Sequence, residues 1–267
     1  MEQWQQTSAE VQKDFIESPG VVEVTMDGTC VNTTEGAHEV KIGIISKRPL
    51  GTGELPEQWD DRSLPRIGAS VAFAAIEEKD QFIKRFHEWR RRLCLGSTGD
   101  ISALGDGAVW IWSIIALVFG KVRECLDIFH ALEHLSDTGK VLYGEETVEY
   151  EQWREETKME LLKGGFELSD KRLKCLEGEK RTDKEKESLR KLRGYWENNR
   201  ERLGYAVRLL EGRAIGSGQV EGACKNLIGK RLKQTWAKWK LERLNRMAVI
   251  GAIRYSDQWK KYWKQAI

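Results

Sequence analysis

Residues 101–143 read ISALGDGAVWIWSIIALVFGKVRECLDIFHALEHLSDTGKVLY, and the rhythm of this stretch sets the fold class. Ile101–Gly105 is a short apolar run that stops at Asp106-Gly107, which predicts a buried strand. Ala108–Phe119 is apolar over three turns and predicts a buried helix. Val122–Ile128 predicts a second strand and Ala131–Tyr143 a second helix. Strand, helix, strand, helix requires crossovers, and crossovers join parallel strands, so the core is α/β.

Upstream, Val21–Met26 (VVEVTM) is β-branched and predicts a strand with Asp27-Gly28 at its exit. Glu39–Ser46 predicts a partner strand, and the turn chemistry of Asn32–Ala37 joins the two as a hairpin. Residues 49–66 hold three of the four prolines and read as a loop. Ser70–Ile76 predicts a third strand, although its alanines leave helix open, and Asp80–Leu95 predicts an amphipathic basic helix. Residues 1–18 read as the end of a helix stopped by Pro19-Gly20, as if the chain began partway through a longer protein.

Downstream, residues 144–213 crowd charges of both signs at helical spacing around sparse apolar positions. Val220–Lys264 is helical, with breaks expected near Gly251 and Ser256. The expected organisation is an N-terminal helical remnant (1–18), a first part of the core (19–143), an all-α insertion (144–213) and a last part of the core with basic, Trp-rich helices (214–267).

Apolar residues make up 40% and charged residues 32% of the 267, the balance of a soluble globular chain. The net charge of +2 hides an asymmetry: Lys225–Ile267 carries twelve Lys/Arg against Glu242 and Asp257, so +10, and residues 1–224 carry −8. A basic end on an acidic body points to an anionic partner, with nucleic acid first. The five cysteines (Cys30, Cys94, Cys125, Cys175, Cys224) are scattered and never form a CxxC pair, which argues for a reducing compartment. Residues 1–12 are polar, and the longest apolar stretch, Trp110–Phe119, is too short to cross a bilayer. The expectation is a cytoplasmic protein with no membrane partner.

Three acids stand at the ends of three elements. Asp27 and Asp106 each follow an apolar strand and precede a glycine. Asp-Gly is also the commonest turn dipeptide. Glu221 lies in Gly216-Ser217-Gly218-Gln219-Val220-Glu221-Gly222, on the first turn of the basic helix, where the helix dipole alone would favour it. Helical spacing puts Glu221, Lys225, Ile228 and Leu232 on one face. Carboxylates brought together repel unless cations neutralise them. All-oxygen ligands suit Mg²⁺ or Mn²⁺, and two such ions about 3.5–4 Å apart serve phosphodiester chemistry. Asp127 competes with Asp106 for the second ligand position. His130 and His134 form an i, i+4 pair that a zinc hydrolase would use, with Asp127 or Glu133 as the third ligand. Along the basic segment, Lys225, Lys230, Arg231, Lys233 and Lys238 interleave with Trp236 and Trp239, residue types that neutralise phosphates and stack on unpaired bases.

Four motifs in this order carry a resemblance: Val24-Thr25-Met26-Asp27-Gly28-Thr29, then Gly105-Asp106-Gly107-Ala108-Val109-Trp110-Ile111-Trp112, then Leu126-Asp127-Ile128-Phe129-His130-Ala131-Leu132-Glu133-His134, then Ile215–Lys225. Arg231-Leu232-Lys233-Gln234-Thr235 and Tyr255-Ser256-Asp257-Gln258-Trp259 also fit. From Val21 onward the chain resembles bacterial insertion-sequence transposases of the ISKra type, within the Mutator-like DDE group.

The resemblance implies an RNase H-like mixed sheet flanked by helices, with the all-α insertion placed before the last catalytic helix. It implies Asp27, Asp106 and Glu221 as the triad that holds two Mg²⁺ or Mn²⁺ ions. It implies Asp127 and His130 as an Asp-x-x-His pair beside the active site. The implied activity is DNA cleavage and strand transfer by a homodimer or larger assembly, acting on transposon ends and target DNA at the nucleoid. Two departures stand out. Only about eighteen residues precede the first strand, where such transposases carry a longer region for end recognition. Trp236 stands where the pattern calls for glycine. A catalytically silent DNA-binding remnant is the alternative of a different class.

Overall fold

The computed structural model describes residues 2–96, 100–234 and 236–266. Two helices, α1 (Glu2–Thr7) and α2 (Ala9–Glu17), lead into a long hairpin of β1 (Val21–Thr33) and β2 (Gly36–Arg48). A loop with a 3₁₀ turn at Pro56–Asp61 precedes β3 (Ala69–Ala75) and α3 (Lys79–Arg92). Then follow β4 (Ile101–Gly105), α4 (Val109–Phe119), β5 (Arg123–Leu126) and α5 (Ile128–Tyr143). The next block is helical: α6 (Val148–Gly178), α7 (Asp183–Asn198) and α8 (Tyr205–Leu210). The chain closes with α9 (Gly218–Ala223), a π-helical stretch (Cys224–Gly229), α10 (Lys230–Leu232), α11 (Leu241–Tyr255) and α12 (Trp259–Ala266).

The five strands form one mixed sheet in the order β3-β2-β1-β4-β5. β1 pairs antiparallel with β2 from Val21↔Arg48 to Thr33↔Gly36, and parallel with β4. β2 pairs antiparallel with β3. The fold is therefore mixed α/β, as the strand–helix alternation predicts. No helix among the described residues is long and apolar enough to cross a membrane.

Both faces of the sheet are covered, which explains why its strands read as nearly continuous apolar runs. Val22, Val24, Met26, Ile101 and Ala103 face Phe15 of α2, Phe82 and Phe86 of α3, and Ile115 of α4. Ile42, Ile44, Ala72 and Ala74 face Val220, Leu227 and Ile228 of the post-216 helices and Leu244 and Ala248 of α11. Trp112 is buried in the first of these clusters and Trp110 packs against it.

β3 is a sheet edge, and its backbone groups are taken up by side chains. Ser256 Oγ accepts the Ala72 N–H at 2.7 Å and Asn245 Oδ1 accepts that of Ile76 at 3.1 Å. Gln5 Nε2 donates to Ala72 O and Gln258 Nε2 to Ser70 O. This is how the fold blunts an edge that would otherwise recruit another strand. The Tyr255-Ser256-Asp257-Gln258 motif thereby acquires a local structural role.

Three expectations are corrected. β1 does not end at Met26 but runs on to Thr33, so Asp27 lies within the strand. Pairing with β2 continues through it, Val31 and Val40 are buried, and the turn falls at Thr34-Glu35, where the Thr33 hydroxyl accepts the Glu35 N–H and donates to Gly36 O. Gly251 does not break the last helices. It sits inside α11, where an added Cβ would meet Leu227 at 3.0 Å, so it is there for close packing. Among the described residues, the break comes instead at 233–234 and 236–240. Finally, the π-helical widening at Cys224–Gly229 shifts the helix phase, so Lys225 is exposed while Ile228 and Leu232 are buried, and the four residues do not share one face.

The chain divides into two compact units, residues 1–49, 65–123 and 217–267 in one and residues 50–64 and 124–216 in the other, the division falling within β5. The second unit is built on α5 to α8, with Trp153, Leu161, Leu189, Trp196 and Leu209 buried. Within it Asp170, 8% exposed, accepts from Arg193 Nε at 2.7 Å and pairs with Lys174 at 2.6 Å. Burial pushes this carboxyl up, but the bonds from Lys174 and Arg193 outweigh it and hold the group below its ordinary value. A depressed folded pKa stabilises above the unfolded value and is lost as pH falls through the folded one. Asp170→Asn is therefore expected to cost about 2 kcal/mol at pH 7. The difference from wild type should shrink as pH falls below about 4 in paired thermal melts.

Candidate active site

β1 and β4 pair in parallel as Val22↔Ile101, Glu23↔Ser102, Val24↔Ala103 and Thr25↔Leu104. The same offset carried two residues further sets Asp27 level with Asp106. Neighbouring strands lie about 4.8 Å apart, and residues at one register level share a face. Asp27 thus follows Glu23 and Thr25 on the face covered by α9, opposite Val22, Val24 and Met26. Asp106 sits one residue past β4, its Oδ1 accepting the Ala108 N–H at 2.9 Å. Gly107 takes φ +88°, which lets the chain turn from strand to helix at once. Asp27 Oδ1 accepts its neighbour Gly28 N–H at 2.6 Å.

The helix that carries Glu221 is tied to β1 by two anchors. Gln219 Nε2 donates to Glu23 Oε2 at 2.6 Å, and Cys224 Sγ donates to Asp27 Oδ2 at 3.2 Å. Glu221 lies between them in sequence, on the helix that these two bonds hold against β1. Tyr255 of α11 adds a third tie, its hydroxyl donating to Gln219 O at 2.6 Å. Glu23 is 2% exposed and is neutralised by Arg48 Nε at 3.0 Å. The Cys224 thiol is pushed far up, first by burial and then by the charges of Asp27 and Glu221, with Lys233 opposing.

The three acids are hard oxygen donors, a set that suits Mg²⁺ or Mn²⁺. Among the described residues, no group of three or more His, Cys, Asp or Glu side chains is gathered closely enough to hold a metal. The carboxylates of Asp27 and Asp106 instead engage the adjacent N–H groups and the Cys224 thiol.

Asp127 and His130 belong to the second unit. Asp127 is fully buried and caps α5, its Oδ1 accepting the N–H groups of Phe129 at 2.6 Å and His130 at 3.4 Å. This capping role accounts for an acid at that position. His130 Nδ1 lies 3.4 Å from Glu133, and the His134 ring stacks on Tyr195 at 4.0 Å.

The basic segment is surface. Lys225, Lys230, Arg231, Lys233 and Lys238 are exposed, and Lys233 Nζ donates to Thr29 Oγ1. Thr29 is two residues beyond Asp27 on β1, so these cations begin beside the acids. Trp239 has a packing role: it is half-buried against Leu232 and its neighbours, its Nε1 donates to Leu232 O at 3.0 Å, and its backbone bridges Asn32 and Thr34. Trp236 is 95% exposed with φ +65°. Thr235 lies outside the described residues.

Sequence reading missed Glu23, Arg48, Cys224 and Tyr255. Glu23 alone left a signal, an acid inside the apolar run VVEVTM. The others matter through partners 25 to 197 residues away, which no local pattern carries. No family model and no curated protein matches this chain.

Proposed function

We propose that this chain is the catalytic part of a DDE-type transposase, cutting DNA and transferring the freed strand. The observation that carries the reading is the β1–β4 register, which levels Asp27 with Asp106 beneath the anchored helix bearing Glu221. The resemblance to ISKra-type transposases supports the same three residues. The mixed sheet, a hairpin followed by a parallel strand with helices on both faces, supports an RNase H-like architecture.

In this reading Asp27 and Asp106 hold divalent cations from the sheet and Glu221 completes the set from α9. Bound Mg²⁺ or Mn²⁺ would supply the Lewis acidity that activates water or a 3′-hydroxyl and stabilises the leaving oxygen. Lys225, Lys230, Arg231, Lys233 and Lys238 hold the phosphate backbone and set its position relative to the acids. Gln219 and Tyr255 fix the helix that carries Glu221. No covalent enzyme intermediate is required.

A second reading, DNA binding without cleavage, is favoured by the Cys224–Asp27 contact, which occupies an oxygen that a cation would need. Purified protein incubated with supercoiled and linear DNA, with Mg²⁺, with Mn²⁺ and with EDTA, separates the two. Nicking confined to the metal-containing reactions is expected, whereas salt-dependent binding without nicking in either metal would leave only the second reading. The binding surface has its own test. Replacing Lys225, Lys230, Lys233 and Lys238 together with glutamine should lower the slope of log K against log salt by about 3 to 4. An unchanged slope would move the DNA surface elsewhere.

A further inference from the structure

Trp236 combines three properties that no packing role explains. Its backbone lies in the left-handed region, φ +65°, inside a tight turn closed by the Ala237 N–H donating to Gln234 O at 3.0 Å. That conformation suits glycine and strains a bulky side chain. Its indole is 95% exposed and so gains almost nothing from burial. The loop bearing it is nonetheless held firmly. Trp239 N–H donates to Asn32 O at 3.2 Å, Thr34 N–H donates to Trp239 O at 2.9 Å, and Lys233 reaches Thr29. A strained residue on a firmly held loop is the signature of a functional constraint.

We infer that Trp236 is a stacking platform for an unpaired nucleobase of bound DNA, on a loop tied to the same β hairpin that carries Asp27. The inference rests on the proposed reading of this segment as a DNA surface and specifies which form of DNA it takes. Lys230, Arg231, Lys233, Lys238 and Lys240 around the loop are all exposed, giving a cationic surface that a phosphate backbone can follow. Trp236 is the one exposed large apolar side chain among the described residues from 225 to 255. A lone ring among cations fits base stacking; a protein partner or a bilayer would require a contiguous apolar patch. The loop runs from Lys233, tied to Thr29 about 7 Å beyond Asp27 on β1, to Trp239, tied to Asn32 and Thr34, so a strand held here runs along the hairpin that carries Asp27.

The test compares wild type, Trp236→Gly and Trp236→Phe on an intact duplex and on the same duplex with a three-nucleotide gap carrying 2-aminopurine. Wild type should bind the gapped DNA about tenfold more tightly than the intact duplex and quench the probe. Trp236→Gly should lose this preference and the quenching while melting at the same or a higher temperature, because glycine relieves the turn. Trp236→Phe should keep part of both. A gap preference undiminished in Trp236→Gly, or none in wild type, overturns the inference while leaving duplex binding and the proposed function intact. If wild type binds neither DNA in a salt-dependent way, the DNA surface itself is wrong and the inference falls with it.

Discussion

Asp27→Asn, Asp106→Asn and Glu221→Gln are each expected to slow metal-dependent nicking by about a thousandfold, on the order of 4 kcal/mol of transition-state stabilisation. Salt-dependent DNA binding should remain near the wild-type level. The amides keep the volume of the acids, so packing around β1 and α9 is preserved. In the proposed triad, removing one charge relieves repulsion, so melting temperatures should hold or rise slightly. Activity and stability then move in opposite directions, which misfolding cannot imitate. Asp127→Asn is the matched control. Asparagine caps a helix about as well as aspartate, so α5 should survive the change. If Asp106→Asn cuts normally and Asp127→Asn does not, the second acid is Asp127 and the register argument fails. Full activity in Asp27→Asn or Glu221→Gln would end the triad assignment.

The largest stability effect is expected at Glu23, which contributes no chemistry. Glu23 accepts from both Arg48 and Gln219 while 2% exposed. Glu23→Ala leaves the mostly buried Arg48 guanidinium without its carboxylate and Gln219 without its acceptor. Breaking such a pair costs about 3–5 kcal/mol, on the order of 10 °C in melting temperature for a chain of this size. The paired replacement Glu23→Met with Arg48→Met should recover much of that loss, because apolar packing substitutes well for a buried ion pair. It should not restore nicking, since the Gln219 anchor of the Glu221 helix is still gone. A Glu23→Ala protein that melts within 2 °C of wild type, by the scale of about 2–4 °C per kcal/mol, would mean that α9 is held by its apolar face alone.

Those two experiments probe features of unequal visibility. Asp27, Asp106 and Glu221 stand out in the sequence because an apolar run that meets an acid and a glycine, and a helix start, are written in local apolar period and glycine placement. The Glu23–Arg48–Gln219 tie was invisible because its members lie 25 and 196 residues apart. The helix α4, the helix α5 and the strand β4 were legible for the same local reason as the acids. The length of β1 was misread: residues beyond Asp27 become strand only by pairing with β2, and NTTEGA read alone is turn chemistry. Gly251 was misread as a breaker because its use depends on Leu227, 24 residues earlier. The phase of the helix after Gly218 was misread because the π-helical stretch has no distinctive local composition.

The sequence by itself determined the alternation of strands and helices, the helical character of residues 144–213 and the basic character of the last forty residues. Each follows from short-range periodicity and composition, which need no knowledge of distant partners. Only the tertiary structure decided that β4 pairs with β1 at an offset that levels Asp106 with Asp27. A slip of β4 by one residue would bring Asp106 level with Met26 or Gly28, into the apolar layer of Val22 and Val24, so register is settled by how both faces pack at once. The tertiary structure also decided that Cys224 and Gln219 anchor the helix of Glu221, and that Trp236 stands out from a strained turn. These are outcomes of long-range pairing, where the free energy depends on which surfaces meet and the local sequence constrains only what each surface offers.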